Sequence, residues 1–256
     1  MPIRYARSLT GQTRTAIANR HLGVVLAFIA GAINAGGFLA VQQYTSHMTG
    51  IVSGMADYLV IGDYTLVWAG LGAVLAFLLG AVCTSLMTHY SQRRGLQGEY
   101  AWPLLLEATL LLCFGFLGAR LAEIDGFYVP LTVLLLCFIM GLQNALITKV
   151  SRAEIRTTHI TGIVTDLGIE LGKLFYWNRS RNDEVPRVIA DNRRLWLLSL
   201  LGFYFFLGGV AGALGFKHMG YISTVPLAIV LVLLACVPVL DDALNMLRRW
   251  FGSKAE

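Results

Sequence analysis

Two short polar motifs interrupt an otherwise apolar chain. Thr45, Ser46, His47, Met48, Thr49 and Gly50 form the first, and Thr157, Thr158, His159, Ile160, Thr161 and Gly162 form the second. In both, hydroxyl residues suited to capping a helix precede histidine, threonine and glycine. A helix that starts inside a bilayer exposes free N–H groups and about half a positive charge, which can receive an anion or the polar head of a solute. His47 and His159 would stand beside such starts, able to donate a hydrogen bond or a proton near neutral pH. The plainer reading has the hydroxyls capping the helices, the imidazoles bonding a neighbouring carbonyl, and Gly50 and Gly162 permitting close helix contact. Asn34 and Asn144, each three residues after a glycine, suit either solute ligation or hydrogen bonding between helices.

Three acids are candidates for proton coupling: Asp57, Glu107 and Asp166. Glu107 lies in a leucine-rich run, where a carboxyl group needs a partner or carries a proton. Asp166 shares a helical stripe with His159, Glu170 and Lys173, and such a face should meet the bundle interior or water rather than lipid. Glu170 and Lys173 also read as an ordinary interfacial pair.

The composition identifies the medium in which these residues must be held. Of 256 residues, 56% are apolar and only 14% charged, too few to cover a soluble globule of this size, which needs about 25%. Soluble enzymes, fibrous repeats and disordered tails are excluded. Six apolar runs, 22–41, 66–87, 101–119, 127–148, 195–216 and 221–240, are long enough for a hydrocarbon core of about 30 Å, which takes roughly 20 helical residues. They must be helical because lipid offers no partner to an unpaired backbone group. The polar motifs open two shorter segments, 47–62 and 159–175, which fall short of a full crossing. No signal peptide is expected, since the apolar run behind the polar first 21 residues is too long for a signal core.

Basic residues orient the helices, since flanking Lys and Arg favour the cytoplasm. Six spans with both termini inside place 18 of the 20 Lys and Arg on the cytoplasmic side, leaving Arg120 and Lys217. Eight spans would give a poorer 14 against 6. The net charge of +5 therefore records orientation, and no nucleic-acid partner is expected. The Arg-rich linker 176–194 falls inside, and the tail from 241 suits a short interfacial helix with Leu244, Leu247 and Trp250 or Phe251 toward lipid. Cys83, Cys113, Cys137 and Cys236 all fall within spans, show no metal spacing and read as reduced small hydrophobes.

The two halves of the chain resemble each other. GAINAGGF from Gly31 matches GLQNALIT from Gly141, the two histidine motifs match, FLLGAVCTSL from Phe77 matches FFLGGVAGAL from Phe205, and Pro103 and Pro226 each precede a leucine-rich run. Four blocks in one order imply duplication. Three crossings per copy is odd, so the second copy enters from the opposite face. The expected fold is all-α: a polytopic membrane helix bundle of six transmembrane helices plus two short broken or re-entrant helices, in an inverted 3+3 internal repeat. The units are a basic leader 1–21, a first repeat 22–120, a second repeat 121–240 and a tail 241–256. Inverted repeats with interrupted helices are an architecture of secondary transporters and some channels.

Gly31, Asn34, Phe38, Ser46, His47, Met48, Thr49 and Gly50, with Gly141, Gln143, Asn144, Ala145, Thr157, Thr158, Thr161 and Gly162, resemble the paired signatures of the YoaK-like bacterial membrane proteins. The resemblance covers both halves. It implies an integral inner-membrane protein of six spans whose biochemical role is not established. The chain departs from the family pattern at Asn34, where aspartate is common, and at Ile51, where asparagine is common.

The functional expectation is a secondary transporter or channel-like facilitator of a small polar or anionic solute, with a proton-coupled variant open. It is not an enzyme, holds no cofactor or metal, lies in the inner (plasma) membrane with lipid as its principal partner, and is compatible with a homo-oligomer. Solute binding would fall to Asn34, Ser46, His47, Thr49, Gly50, Asn144, Thr157, Thr158, His159, Thr161 and Gly162. No P-loop, GxGxxG, HExxH or serine-nucleophile motif occurs. Competing expectations are an intramembrane metal-assisted enzyme using His47, His159, Asp57 and Asp166, and a scaffold or sensor acting through the 176–194 linker.

Overall fold

In the computed structural model the described residues are 10–11, 15–121, 128–151, 157–177 and 187–252. Every apolar run folds as a helix. They are α1 (Ala16–Val41), α2 (Met48–Ile61), α3 (Tyr64–Arg94), α4 (Ala101–Leu121), α5 (Tyr128–Val150), α6 (Ile160–Phe175), α7 (Asn192–Met219) and α8 (Thr224–Gly252), with a 3₁₀ turn at Gly220–Ser223. Among the described residues there is no strand.

Five helical stretches are long and apolar enough to cross a membrane: Ile17–Val41, Tyr64–Arg94, Ala101–Gly118, Leu131–Val150 and Asn192–Asn245. The last, 54 residues, is broken by the 3₁₀ turn, where Gly220 takes φ +59°. Met48–Ile61 is a shorter apolar helix. Leu75, Leu78, Leu79 and Val82 on α3, Phe203, Phe206 and Val210 on α7, and Ile229, Val232 and Leu233 on α8 stand exposed. Apolar faces this extensive require lipid, and the chain is a multi-pass membrane protein.

Helix ends follow local chemistry. Thr15 caps α1 through Ala18 N–H at 3.1 Å, and Asp63 caps α3 through Leu66 N–H at 3.2 Å. Gly95 at φ +63° stops α3 after Arg93 and Arg94, whose charges favour a helix C-terminus. Three boundaries differ from the sequence expectation. Helix α1 begins inside the predicted leader, so Arg20 is helical. Helix α7 begins inside the predicted linker, because Asp191 accepts Arg193 and Arg194 N–H and starts the helix there; residues 178–186 of that linker lie outside the described residues. The tail is no separate helix, since α8 continues to Gly252. Asp242 is buried and accepts Gln97 N–H at 2.6 Å and Gly98 N–H at 2.8 Å, which fastens this extension to the turn before α4. Leu244 is exposed as expected, whereas the side chains of Leu247, Trp250 and Phe251 lie outside the described residues.

The packing runs in reciprocal pairs. Helix α1 lies along α7 and α5 along α3, α4 packs on α8, α2 on α3, α6 on α7, and α1 touches α5. Each half thus lends its first helix to the other half's third. The seams are made by small residues, as membrane helices require in the absence of a hydrophobic driving force. A Cβ on Gly31 would collide with the Phe205 carbonyl and one on Gly141 with the Phe77 carbonyl; Gly208 meets Phe28 and Gly80 meets Phe138 in the same manner. Thr84 adds a buried bond to the Leu142 carbonyl at 2.9 Å. All four cysteines are free thiols.

Candidate functional site

At about 1.5 Å per residue, the 14 residues of α2 and the 16 of α6 span roughly 21 and 24 Å. Their N-termini open on one cavity of about 700 Å³. Its wall combines Asn34, Ser46, His47 and Thr49 from the first half with Asn144, Thr158, His159 and Thr161 from the second; Tyr44, Met48, Phe77, Thr148, Ile160 and Phe205 complete it. Among the described residues no Asp, Glu, Lys or Arg lines it.

The expected hydroxyl caps are not used. The N-cap residues are His47 and His159 themselves, and neither helix start carries a side-chain cap hydrogen bond. The reason lies in the His-x-Thr-Gly spacing. The first intrahelical bonds run from Ile51 N–H to the His47 carbonyl at 3.1 Å and from Ile163 N–H to the His159 carbonyl at 3.0 Å. Each imidazole folds back over its helix's first turn, where a Cβ on Gly50 or Gly162 would strike the ring. Glycine at the third helical position thus makes room for the ring, and the first N–H groups of each helix have no intrahelical acceptor.

The hydroxyls serve elsewhere. Ser46 donates from its Oγ to Asn34 Oδ1 at 2.8 Å, joining α1 to the start of α2. The equivalent Asn144 Oδ1 is buried without a partner, as are Thr45 Oγ1 and Thr157 Oγ1, both on fully buried residues. Thr157 does not line the cavity, and Gly50 and Gly162 border the flanking cavities instead.

Two further cavities adjoin the central one. A first-half cavity of about 710 Å³ is walled by α2 and α3 with Phe38, Tyr44, Tyr58 and Trp68, and includes His47. A second-half cavity of about 690 Å³ lies between α6 and α7, with Arg20, Asp166, Asp191, Arg193 and Arg194, and includes His159. Each histidine therefore belongs to the central cavity and to one flanking cavity.

The three acids separate. Asp166 pairs with Arg194 at 3.0 Å on the wall of the second-half cavity. Glu107 is fully buried on α4 and neither carboxyl oxygen has a hydrogen-bond partner. Asp57 is exposed on α2 and lines none of the three cavities. The set His47, His159, Asp57 and Asp166 is thus not brought to one cavity, and among the described residues no three His, Cys, Asp or Glu side chains gather as metal ligands. Glu170 is buried, paired to Lys173 at 2.8 Å, and also accepts Asp191 N–H at 2.9 Å, so the polar stripe of α6 faces the start of α7.

Residues 22–237 match the family described as "Protein of unknown function (DUF1275)". The chain belongs to this family. It is also similar to the UPF0700 transmembrane protein YoaK of Bacillus subtilis (strain 168), 28% identical over 182 residues, which cover 69% of this chain and 80% of that protein. No solved structure matches. In this DUF1275 chain, sequence reasoning treated Arg20, Arg193 and Arg194 only as topological charges, although they line a cavity. The available signal was Asp191, a good N-cap placed two residues before Arg193. Tyr44, Phe77, Thr148 and Phe205 escaped because aromatic residues and a lone threonine in a span read as packing.

Proposed function

We propose that this chain is a secondary transporter or channel-like facilitator of a small polar or anionic solute. It works as six spans in an inverted 3+3 arrangement, with α2 and α6 as re-entrant helices and both termini on the cytoplasmic side of the inner (plasma) membrane. The observation that carries this reading is the shared position of the histidines: His47 and His159 each border the central cavity and one of its two neighbours. The reciprocal seams at Gly31 with Phe205 and Gly141 with Phe77 support the duplicated arrangement.

The central cavity is suited to a neutral solute or a monoanion. Its described lining carries no acidic group to hold a cation, and two uncapped helix starts supply partial positive charge. Asn34, Asn144, Ser46, Thr158, Thr49 and Thr161 provide neutral hydrogen-bonding groups for orientation, and the imidazoles guard the passages on either side. Of the acids, Asp166 is best placed to respond to a proton, since it shares the second-half cavity with His159.

Flux into proteoliposomes tests the reading. Vesicles carrying the protein are challenged with potassium formate, lactate, nitrate and bicarbonate and with glycerol and urea, and the volume change is followed by light scattering. At least one solute enters faster than in empty vesicles, and the combined His47→Ala and His159→Ala change abolishes the difference. Flux indifferent to that pair would remove the site assignment.

A further inference from the structure

The two flanking cavities differ in charge. Among the described residues that of the first half contains no Asp, Glu, Lys or Arg, whereas that of the second half collects Arg20 from α1 and Arg193 and Arg194 from the first turn of α7. Three guanidinium groups around one space repel each other unless anions answer them.

The nearby acids are mostly committed. Asp191, on the same wall, accepts the N–H groups of Arg193 and Arg194 at 2.9 and 3.1 Å as the cap of α7, and its charge also acts on both guanidinium groups, so the cavity sets two carboxylates, Asp166 and Asp191, against three arginines. Glu170 is held by Lys173 and by Asp191 N–H. Among the described residues the carboxylate in contact with a guanidinium of the cavity is that of Asp166, through a single contact from its Oδ2 to Arg194 Nη2 at 3.0 Å. That pair is open to solvent, with the Arg194 side chain 53% and the Asp166 side chain 39% exposed. Among the described residues neither Arg20 nor Arg193 has an ion-pair partner.

We infer that this cavity is an oxyanion site in which Asp166 serves as a tethered stand-in. A phosphate group, whether free in solution or carried by a lipid headgroup, offers several acceptor oxygens to a planar guanidinium fork, where Asp166 offers Arg194 one contact. The incoming oxyanion takes Arg194 together with Arg20 and Arg193 and displaces the Asp166 carboxylate. Asp166 sits on α6, whose N-cap His159 borders the central cavity, so displacement is felt at the central wall. The inference does not require the central cavity to pass a solute, and its failure would leave the flux assay untouched.

Thermal unfolding of the full chain in nanodiscs of purely zwitterionic lipid, titrated with inorganic phosphate at constant ionic strength against chloride, provides the test. Phosphate raises the midpoint of the wild type. Asp166→Asn removes the competitor and lowers the half-saturating phosphate concentration by up to about fivefold, the ceiling set by an exposed ion pair. Arg194→Gln and Arg20→Gln raise it or abolish the response, and Arg20→Gln stands alone if Arg194→Gln does not fold. A structural salt bridge would instead make Asp166→Asn and Arg194→Gln shift the response in the same direction, and that overturns the inference. If phosphate is silent, the second arm measures phosphatidylglycerol retained through purification from mixed-lipid vesicles. Retention lost in Arg194→Gln or Arg20→Gln assigns the site to a lipid headgroup, and retention indifferent to both overturns the oxyanion site. A phosphate response unchanged in both arginine variants overturns it equally.

Discussion

Alanine in place of Gly31 or Gly141 should destabilise the bundle even though the same exchange elsewhere in a helix stabilises it. An interior helical glycine replaced by alanine gains roughly 0.8–1.0 kcal/mol of propensity. Against that stands overpacking, typically about 1–3 kcal/mol. At Gly31 the obstacles are the Phe205 carbonyl and the Gly209 nitrogen, and at Gly141 the Phe77 carbonyl and Cα, all of them backbone atoms that cannot rotate aside. The helices must separate, which places the cost in the upper part of that range and leaves a net loss of about 1–2 kcal/mol per site. The sites lie on different seams, α1 with α7 and α3 with α5, so the double change should approach the sum of the two. Gly168 on α6 is the internal control, since a Cβ there meets nothing within 4 Å; alanine at that position should gain about 0.5–1 kcal/mol. Unfolding in detergent, followed by tryptophan fluorescence, reads all four variants against the wild type. Gly31→Ala or Gly141→Ala at least as stable as the wild type would refute the close seams and the reciprocal pairing built on them.

Two further outcomes follow from the cytoplasmic end of α6 and from the α8 extension. The hydrogen bond from Lys173 and the Asp191 N–H hold the Glu170 carboxyl below the usual carboxylate range, and the Arg194 and Arg193 N–H groups do the same for Asp191. Both folded values lie below the unfolded ones, so their stabilisation is complete above about pH 4–4.5 and lost as pH falls through the folded values; protease cleavage near Trp177 should rise below that range, and Glu170→Gln should flatten the rise. Asp242→Ala removes both acceptors of Gln97 and Gly98 N–H and should cost about 2–3 kcal/mol in the same unfolding assay, with Asp242→Asn losing less because one oxygen remains.

Much of the architecture was legible because lipid imposes long apolar runs, and those runs became helices, with α1, α3 and α8 extending well beyond the expected limits into polar sequence. The histidine motifs were legible for the same reason, since a polar cluster that recurs in both halves of an apolar chain is conspicuous. Other features depended on information that periodicity does not carry. Thr45 or Ser46 was expected to cap α2 and Thr157 or Thr158 to cap α6, but Gly50 and Gly162 leave space for an imidazole, the histidine takes the N-cap position, and Ser46 is free to bond Asn34. Arg193 and Arg194 were read as linker because arginine in a first helical turn has the same composition as arginine in a loop; only the cap formed by Asp191 separates the two cases. The continuation of α8 past residue 241 was hidden by its polar composition, and its anchor, Asp242, is buried by a partner 144 residues away. Sequence could nominate Asn34 and Asn144 for the central cavity, but not that Asn34 would bond Ser46 while Asn144 Oδ1 is left unpaired.

Thiol accessibility at the two helix starts tests the central claim most directly. In a chain with Cys83, Cys113, Cys137 and Cys236 replaced by alanine, Thr49→Cys and Thr161→Cys each put one thiol on the cavity wall. If the cavity is the solute's path, a membrane-impermeant sulfonate reagent modifies both positions in proteoliposomes and modification at either one stops flux. Thiols that stay unreactive while flux continues, or that react without altering it, would contradict the account.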